Sequence, residues 1–142
     1  MNLLSGELPM QIGALKHLET LSLFNNEIEG RIPNSLYEIT TIKILLLNSN
    51  KLVGELSKDV KKLTALENLS LFDNKMNGAV PMELERLNSL KEMNISYNKF
   101  NGFVSRDLAI LDTLNMTMLN DEGLAVLLDV KADRNTAIAS ED

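Results

Sequence analysis

The chain has 142 residues, 44% of them hydrophobic, no cysteine and a formal net charge of −6. That length suits one modest domain, and the acidic balance argues against nucleic acid or an anionic membrane surface as the main partner. Without cysteine there is neither a disulfide nor a thiolate metal site. No run of about 18 apolar residues offers a transmembrane helix, and the opening MNLLSGELPM does not read as a secretory leader.

Residues 1–14 read as the back half of a repeating unit, with Asn2, Leu4, Gly6, Leu8, Pro9 and Ile12 in register with the later units. Four complete units of 24 residues come next, at 15–38, 39–62, 63–86 and 87–110. They agree in nine columns, among them Leu21/Leu45/Leu69/Met93, Leu23/Leu47/Leu71/Ile95, Asn26/Asn50/Asn74/Asn98, Gly30/Gly54/Gly78/Gly102 and Leu36/Val60/Leu84/Leu108. A fixed period of this length marks a solenoid, in which each unit buries its apolar face only against its neighbours. The apolar edge of the first complete unit is therefore expected to face water, and the chain is expected to be a fragment, or a truncated gene model, of a longer repeat protein.

Each column has a physical role. The alternation Leu69-Ser70-Leu71-Phe72 predicts a short strand, and equivalent strands stack at about 4.8 Å as a parallel sheet. The asparagine follows where the chain turns inward. Its amide both donates and accepts, so stacked asparagines form a ladder that satisfies buried backbone groups. Asn74→Ala is thus expected to cost about 1–3 kcal/mol, and a change at exposed Asp73 no more than about 0.5 kcal/mol. Five of the seven glycines fall in one column, where positive φ or a close approach is expected. All three prolines, Pro9, Pro33 and Pro81, share the next special column, before a short helical or 3₁₀ return.

These residues resemble the plant-type leucine-rich repeat, LxxLxxLxLxxNxLxGxIPxxLxxL, over residues 2 to 111. The resemblance implies an α/β-type repeat solenoid, L-domain-like and right-handed, with a concave parallel sheet and short extended and 3₁₀ segments opposite. It also implies kinship with plant receptor-kinase and receptor-like-protein ectodomains and with similar algal or bacterial proteins. Two departures are visible, Ser57 and Ser105 in place of proline, and the flanking cysteine pairs of secreted plant members are absent. The implied organisation is a solenoid over 1–111 (partial repeat 1–14, full repeats 15–110), a degenerate repeat or cap at 112–132 and a disordered tail at 133–142. Residues 120–131 read either as a helix started by Asn120 or Asp121, or as a hairpin arm pairing 115–119 with 124–130. The run LNDEGLAVLLDVK is also similar to the opening of the N-terminal cap of plant receptor ectodomains.

No catalytic constellation is present. His17 is the only histidine and has no partner set, and the glycines stand singly, so neither a metal centre nor a phosphate loop is expected and no cofactor is implied. Asp121 and Glu122 read as helix-start or turn residues, Lys58, Lys61 and Lys62 as a solvated face, and the methionines as core filler. The informative surface is the concave face. Its candidate ligand-binding residues are Phe24, Leu46, Asn48, Phe72, Asp73, Asn94 and Tyr97, with a contact patch centred on Phe72. Ser22, Ser70 and Ser96 are also read as outward. Three Asn-x-Ser/Thr sequences, at Asn68, Asn94 and Asn115, are acceptors for glycans if the chain is secreted. The expected function is non-enzymatic binding of a protein or peptide. The alternative is a piece of a receptor kinase whose catalytic domain lies elsewhere. An ice-binding array would need one small residue repeated down a column, and the column Ser22, Leu46, Ser70, Asn94 is irregular.

Overall fold

The computed structural model describes residues 3–101 and the strand at 115–117. Two five-stranded parallel sheets run along it. The first contains β2 (Thr20–Ser22), β4 (Ile44–Leu46), β6 (Asn68–Ser70), β8 (Glu92–Asn94) and β10 (Asn115–Thr117). The second contains β1 (Ser5–Glu7), β3 (Glu27–Gly30), β5 (Lys51–Glu55), β7 (Lys75–Ala79) and β9 (Lys99–Asn101). Four five-residue 3₁₀ helices return the chain from one sheet to the next, at Met10–Ala14, Asn34–Glu38, Lys58–Lys62 and Met82–Arg86. The first sheet is the predicted one, and its strands pair at the repeat interval, Leu21 with Leu45 and Leu45 with Leu69. The second is more than scattered extended segments. Its register is shifted by two residues per coil, so that Gly54 lies opposite Met76.

The core lies between the sheets. In the second, third and fourth complete units the strand-column residues are sealed, with Leu47, Leu71 and Ile95 at 0–2% exposure. The first unit differs as expected: Leu15 is 50% exposed, and Leu18, Leu21 and Leu23 are only partly buried. Burial of a leucine side chain is worth about 2 kcal/mol, so this edge holds less stability than the middle.

The asparagine ladder forms, and it points one way. The Asn74 amide group donates to the Leu71 carbonyl of its own coil and the Leu47 carbonyl of the coil before, each at 3.0 Å. Its side-chain oxygen accepts the N–H of Leu52, also in the coil before, at 3.0 Å. Asn50 and Asn98 repeat the pattern. Asn26 takes the Leu4 N–H and donates to Leu23 and Phe24, both in its own coil.

Glycine is needed in its column for two reasons. Gly78 has φ +82°, and a Cβ there would lie 2.6 Å from Cγ of Glu55 in the preceding coil. Gly6 has φ +84° with nothing near, so at the first coil only the backbone conformation remains. Gly102, Ser105, residues 120–131 and the tail 133–142 lie outside the described residues.

Ser57 turns out to be a compensated exchange. It keeps the backbone of the proline column, φ −69° against −67° at Pro33 and −71° at Pro81. Unlike proline it has an N–H, which donates to the Tyr37 hydroxyl at 3.4 Å. Its own hydroxyl accepts the Asp59 N–H at 3.0 Å and caps the 3₁₀ helix. Tyr37, in a return position that sequence assigns no core role, is 1% exposed. Burial pushes its hydroxyl pKa up to about 12.

Candidate functional site

The outward residues of the first sheet divide along the strand direction. At the N-terminal ends stand Glu19, Lys43, Glu67 and Lys91, one per coil and alternating in sign. Lys43 pairs with Glu19 and Lys91 with Glu67, both at 2.9 Å. Hydrogen bonding to Glu19 raises the Lys43 pKa, and hydrogen bonding to Lys91 lowers that of Glu67. Beside them the Asn68 amide donates to Glu92 at 3.1 Å. These residues, with Thr20 and Ile44, line a shallow groove of about 380 Å³ whose charges already have partners.

At the C-terminal ends the surface is apolar and aromatic. Phe24 is 43% and Tyr97 61% exposed. Leu46, Asn48, Phe72 and Asn94 are partly buried, and Asp73 is exposed. The structure therefore brings Phe24, Leu46, Phe72 and Tyr97 onto one side of one sheet, and Tyr97 rather than Phe72 presents the greater free surface. Two expected outward residues are corrected. Ser96 is 2% exposed, because its N–H and hydroxyl both fold back onto the Asn94 side-chain oxygen, at 3.1 and 2.6 Å. Ser70 is 9% exposed, on the central strand of its sheet.

A feature absent from the sequence reading is the backbone of the column just before the ladder. Asn25, Ser49, Asp73 and Tyr97 all have positive φ, 54–59°. The left-handed turn ends each strand and aims the next residue, the asparagine, inward. Asn and Asp tolerate this conformation by local hydrogen bonding; for a bulky aromatic such as Tyr97 it is an outlier. The presence of Asn25 and Asp73 in that column was the available signal.

Of the glycan acceptors, Asn68 has its amide nitrogen engaged by Glu92, Asn94 uses its oxygen for Ser96, and the side chain of Asn115 lies outside the described residues. His17 is exposed. Among the described residues no three His, Asp or Glu side chains gather as metal ligands, and no helix is long and apolar enough to cross a membrane.

Comparison with known proteins places the fold. The leucine-rich repeat region family matches residues 2–126. Among curated protein sequences nothing matches. Among solved structures, the Arabidopsis receptor kinase HAESA, in complex with the peptide hormone IDA and the co-receptor SERK1, is 32% identical with a TM-score of 0.78. That match covers 82% of this chain and 20% of the receptor chain. The plant peptide hormone receptor RGFR1, in complex with RGF2, is 31% identical with a TM-score of 0.77, over 84% of this chain and 19% of that one. The ectodomain of the receptor kinase SOBIR1 from Arabidopsis thaliana shares the fold at 24% identity and a TM-score of 0.75, over 80% of this chain and 62% of that one. This chain thus spans less than two thirds of each of these relatives. With the ladder, the paired sheets and the 24-residue coil in place, the chain belongs to the leucine-rich repeat family.

Proposed function

We propose that the concave first sheet binds an extended peptide or protein segment, without catalysis, along the C-terminal ends of its strands. The observation that carries this reading is the division of the face. The charged ends are neutralised internally, whereas Phe24, Leu46, Phe72 and Tyr97 offer apolar and aromatic surface, the residue types that anchor interfaces. Asn48, Asp73 and Asn94 supply polar contacts around them. Support comes from the similar folds of HAESA and RGFR1, each solved with a peptide ligand. A ligand lying across the strands meets one coil about every 4.8 Å and rises about 3.3 Å per residue when extended, so roughly three of its residues pass for every two coils.

The test is selection of binders from a displayed peptide library on the wild-type chain, followed by titration against variants. Tyr97→Ala and Phe72→Ala are expected to weaken the selected peptides about tenfold or more, equal to about 1.4 kcal/mol. The control Lys75→Ala, on the second sheet, is expected to leave them unchanged. Loss at Lys75 with retention at both aromatics overturns the reading.

A second reading is that the chain is part of a receptor-kinase ectodomain, favoured by the small share of each receptor that it spans. Sequencing the full reading frame decides it: a membrane span and a kinase glycine-rich loop downstream support it, and their absence from the complete frame removes it.

A further inference from the structure

The second sheet treats its charges differently from the first. Three of its exposed carboxylates, Glu7, Glu27 and Glu29, stand on β1 and β3, and a fourth, Glu55, ends β5. Its exposed lysines, Lys51, Lys75 and Lys99, stand on β5, β7 and β9, one per coil. The sheet thus has an acidic end and a basic end. On the first sheet, acid and base alternate from coil to coil and pair at 2.9 Å. On the second, the described residues give none of these side chains an ion pair, although Glu29 lies opposite Lys51 in the register. Glu7 lies opposite Glu29, an arrangement of like charges that costs stability and that a further cation would relieve. Between the two ends, on the middle strand, Val53 is 39% exposed. Glu55, on the same face of β5 as Val53, and Arg31, just after β3, each put one opposite charge into a half of this surface, and the two cancel.

From this segregation we propose that the second sheet is a self-docking face. Two copies of the chain pack these sheets together in inverted orientation, the acidic end of one over the basic end of the other, with Val53 between them. A two-fold arrangement uses both complementary contacts at once, which is what a polar charge pattern on one surface favours. Five short strands at about 4.8 Å spacing make a face about 20 Å long and about 15 Å across. That area is well short of the roughly 800 Å² per partner of a stable dimer. The association is therefore weak, reversible and salt-sensitive, and it leaves the concave sheet free.

The test is sedimentation velocity on the full chain up to about 0.5 mM, at about 20 mM and about 500 mM salt, where the Debye length falls to a few ångströms. Wild type is expected to show a dimer population that rises with concentration at low salt and disappears at high salt. Lys75→Glu/Lys99→Glu and Glu27→Lys/Glu29→Lys are each expected to be monomeric alone, and their equimolar mixture to associate at least tenfold more tightly than either alone. Circular dichroism melting of each variant confirms that it is folded. A wild type monomeric throughout at low salt overturns the proposal. So does a dimer that resists salt, survives both charge variants and is lost on Leu15→Lys, which assigns association to the bare apolar edge of the first coil instead.

Discussion

Two columns of the solenoid stand side by side and answer to different rules. One is the ladder, Asn26, Asn50, Asn74 and Asn98, buried and identical in every coil. The other is the column before it, Asn25, Ser49, Asp73 and Tyr97, at positive φ and different in every coil. Both are set by the same turn. The ladder is constrained by side-chain chemistry, because only an amide can accept one buried N–H while donating to two carbonyls. Its neighbour is constrained by backbone conformation alone, so its side chain is free to vary toward solvent. A repeat can thus keep a position structurally strict and still use it for recognition.

The largest effect expected within this comparison is at Asn74. Asn74→Ala strands the buried Leu52 N–H and takes one of two asparagine donors from each of the Leu47 and Leu71 carbonyls, which keep Asn50 and Asn98, and a loss of about 2 kcal/mol is expected in urea unfolding. Asn26→Ala is expected to cost about half as much, because Asn26 reaches no carbonyl of a preceding coil. Equal losses at the two sites would show that the backward bonds add nothing.

Tyr37 sharpens the comparison with a buried polar contact between its hydroxyl and the Ser57 N–H of the next coil. Tyr37→Phe leaves the Ser57 N–H without its acceptor and is expected to cost about 1 kcal/mol at neutral pH. Adding Ser57→Pro to Tyr37→Phe removes that N–H and is expected to recover part of the loss. The pH dependence comes from a pKa raised by burial from 10.0 to about 12. The unfolded chain releases the tyrosine proton first. The contribution of neutral, buried Tyr37 is therefore full below pH 10 and lost as pH rises toward about 12. The wild-type loss across that window should exceed that of Tyr37→Phe in denaturant titrations.

Smaller effects are expected in the neighbouring column. Asp73→Ala should cost about 1 kcal/mol, more than an exposed strand position predicts, because alanine at φ 59° gives up a residue that tolerates that conformation. Asp73→Gly should show no such loss. Tyr97→Gly should raise stability by about 0.5–1 kcal/mol by relieving the left-handed strain, while weakening ligand binding on the concave face. A glycine at position 97 that stabilises without affecting binding would detach Tyr97 from recognition. The smallest effect is at the exposed pair. Glu67→Gln should leave the melting temperature unchanged, since hydrogen bonds and charges at the surface are screened.

The repeat made most of the solenoid legible. Leu, Asn, Gly and Pro each recur at the interval that their physical task requires, so the first sheet, the ladder, the positive-φ glycines and the 3₁₀ returns were all readable. The second sheet was less so. Its strands, such as Lys51–Glu55, are interrupted by glycine and shifted by two residues per coil, and a strictly repeating pattern hides that slip. Tyr37 escaped because its burial depends on Ser57, 20 residues away, and no local pattern reports a pair of that kind. In the candidate site, the outward placement of Phe24, Leu46 and Phe72 followed from simple alternation along the strand, whereas that of Tyr97, one column further on, comes from the left-handed turn. The burial of Ser96 did not follow from alternation, because it comes from a side chain closing on its own strand.

The one-way ladder has a consequence for how such a chain can change in length. Every rung from Asn50 onward joins an asparagine to the carbonyl 27 residues earlier and to the N–H 22 residues earlier. Duplicating or deleting one whole unit moves every donor and acceptor onto an equivalent partner, and the ladder closes again. Adding or removing a single residue between two asparagines breaks that equivalence, and the turn or 3₁₀ return has to absorb the change before the rung can close. The molecule therefore counts in blocks of 24, and the number of coils is a quantity that recombination can adjust without redesigning any of them.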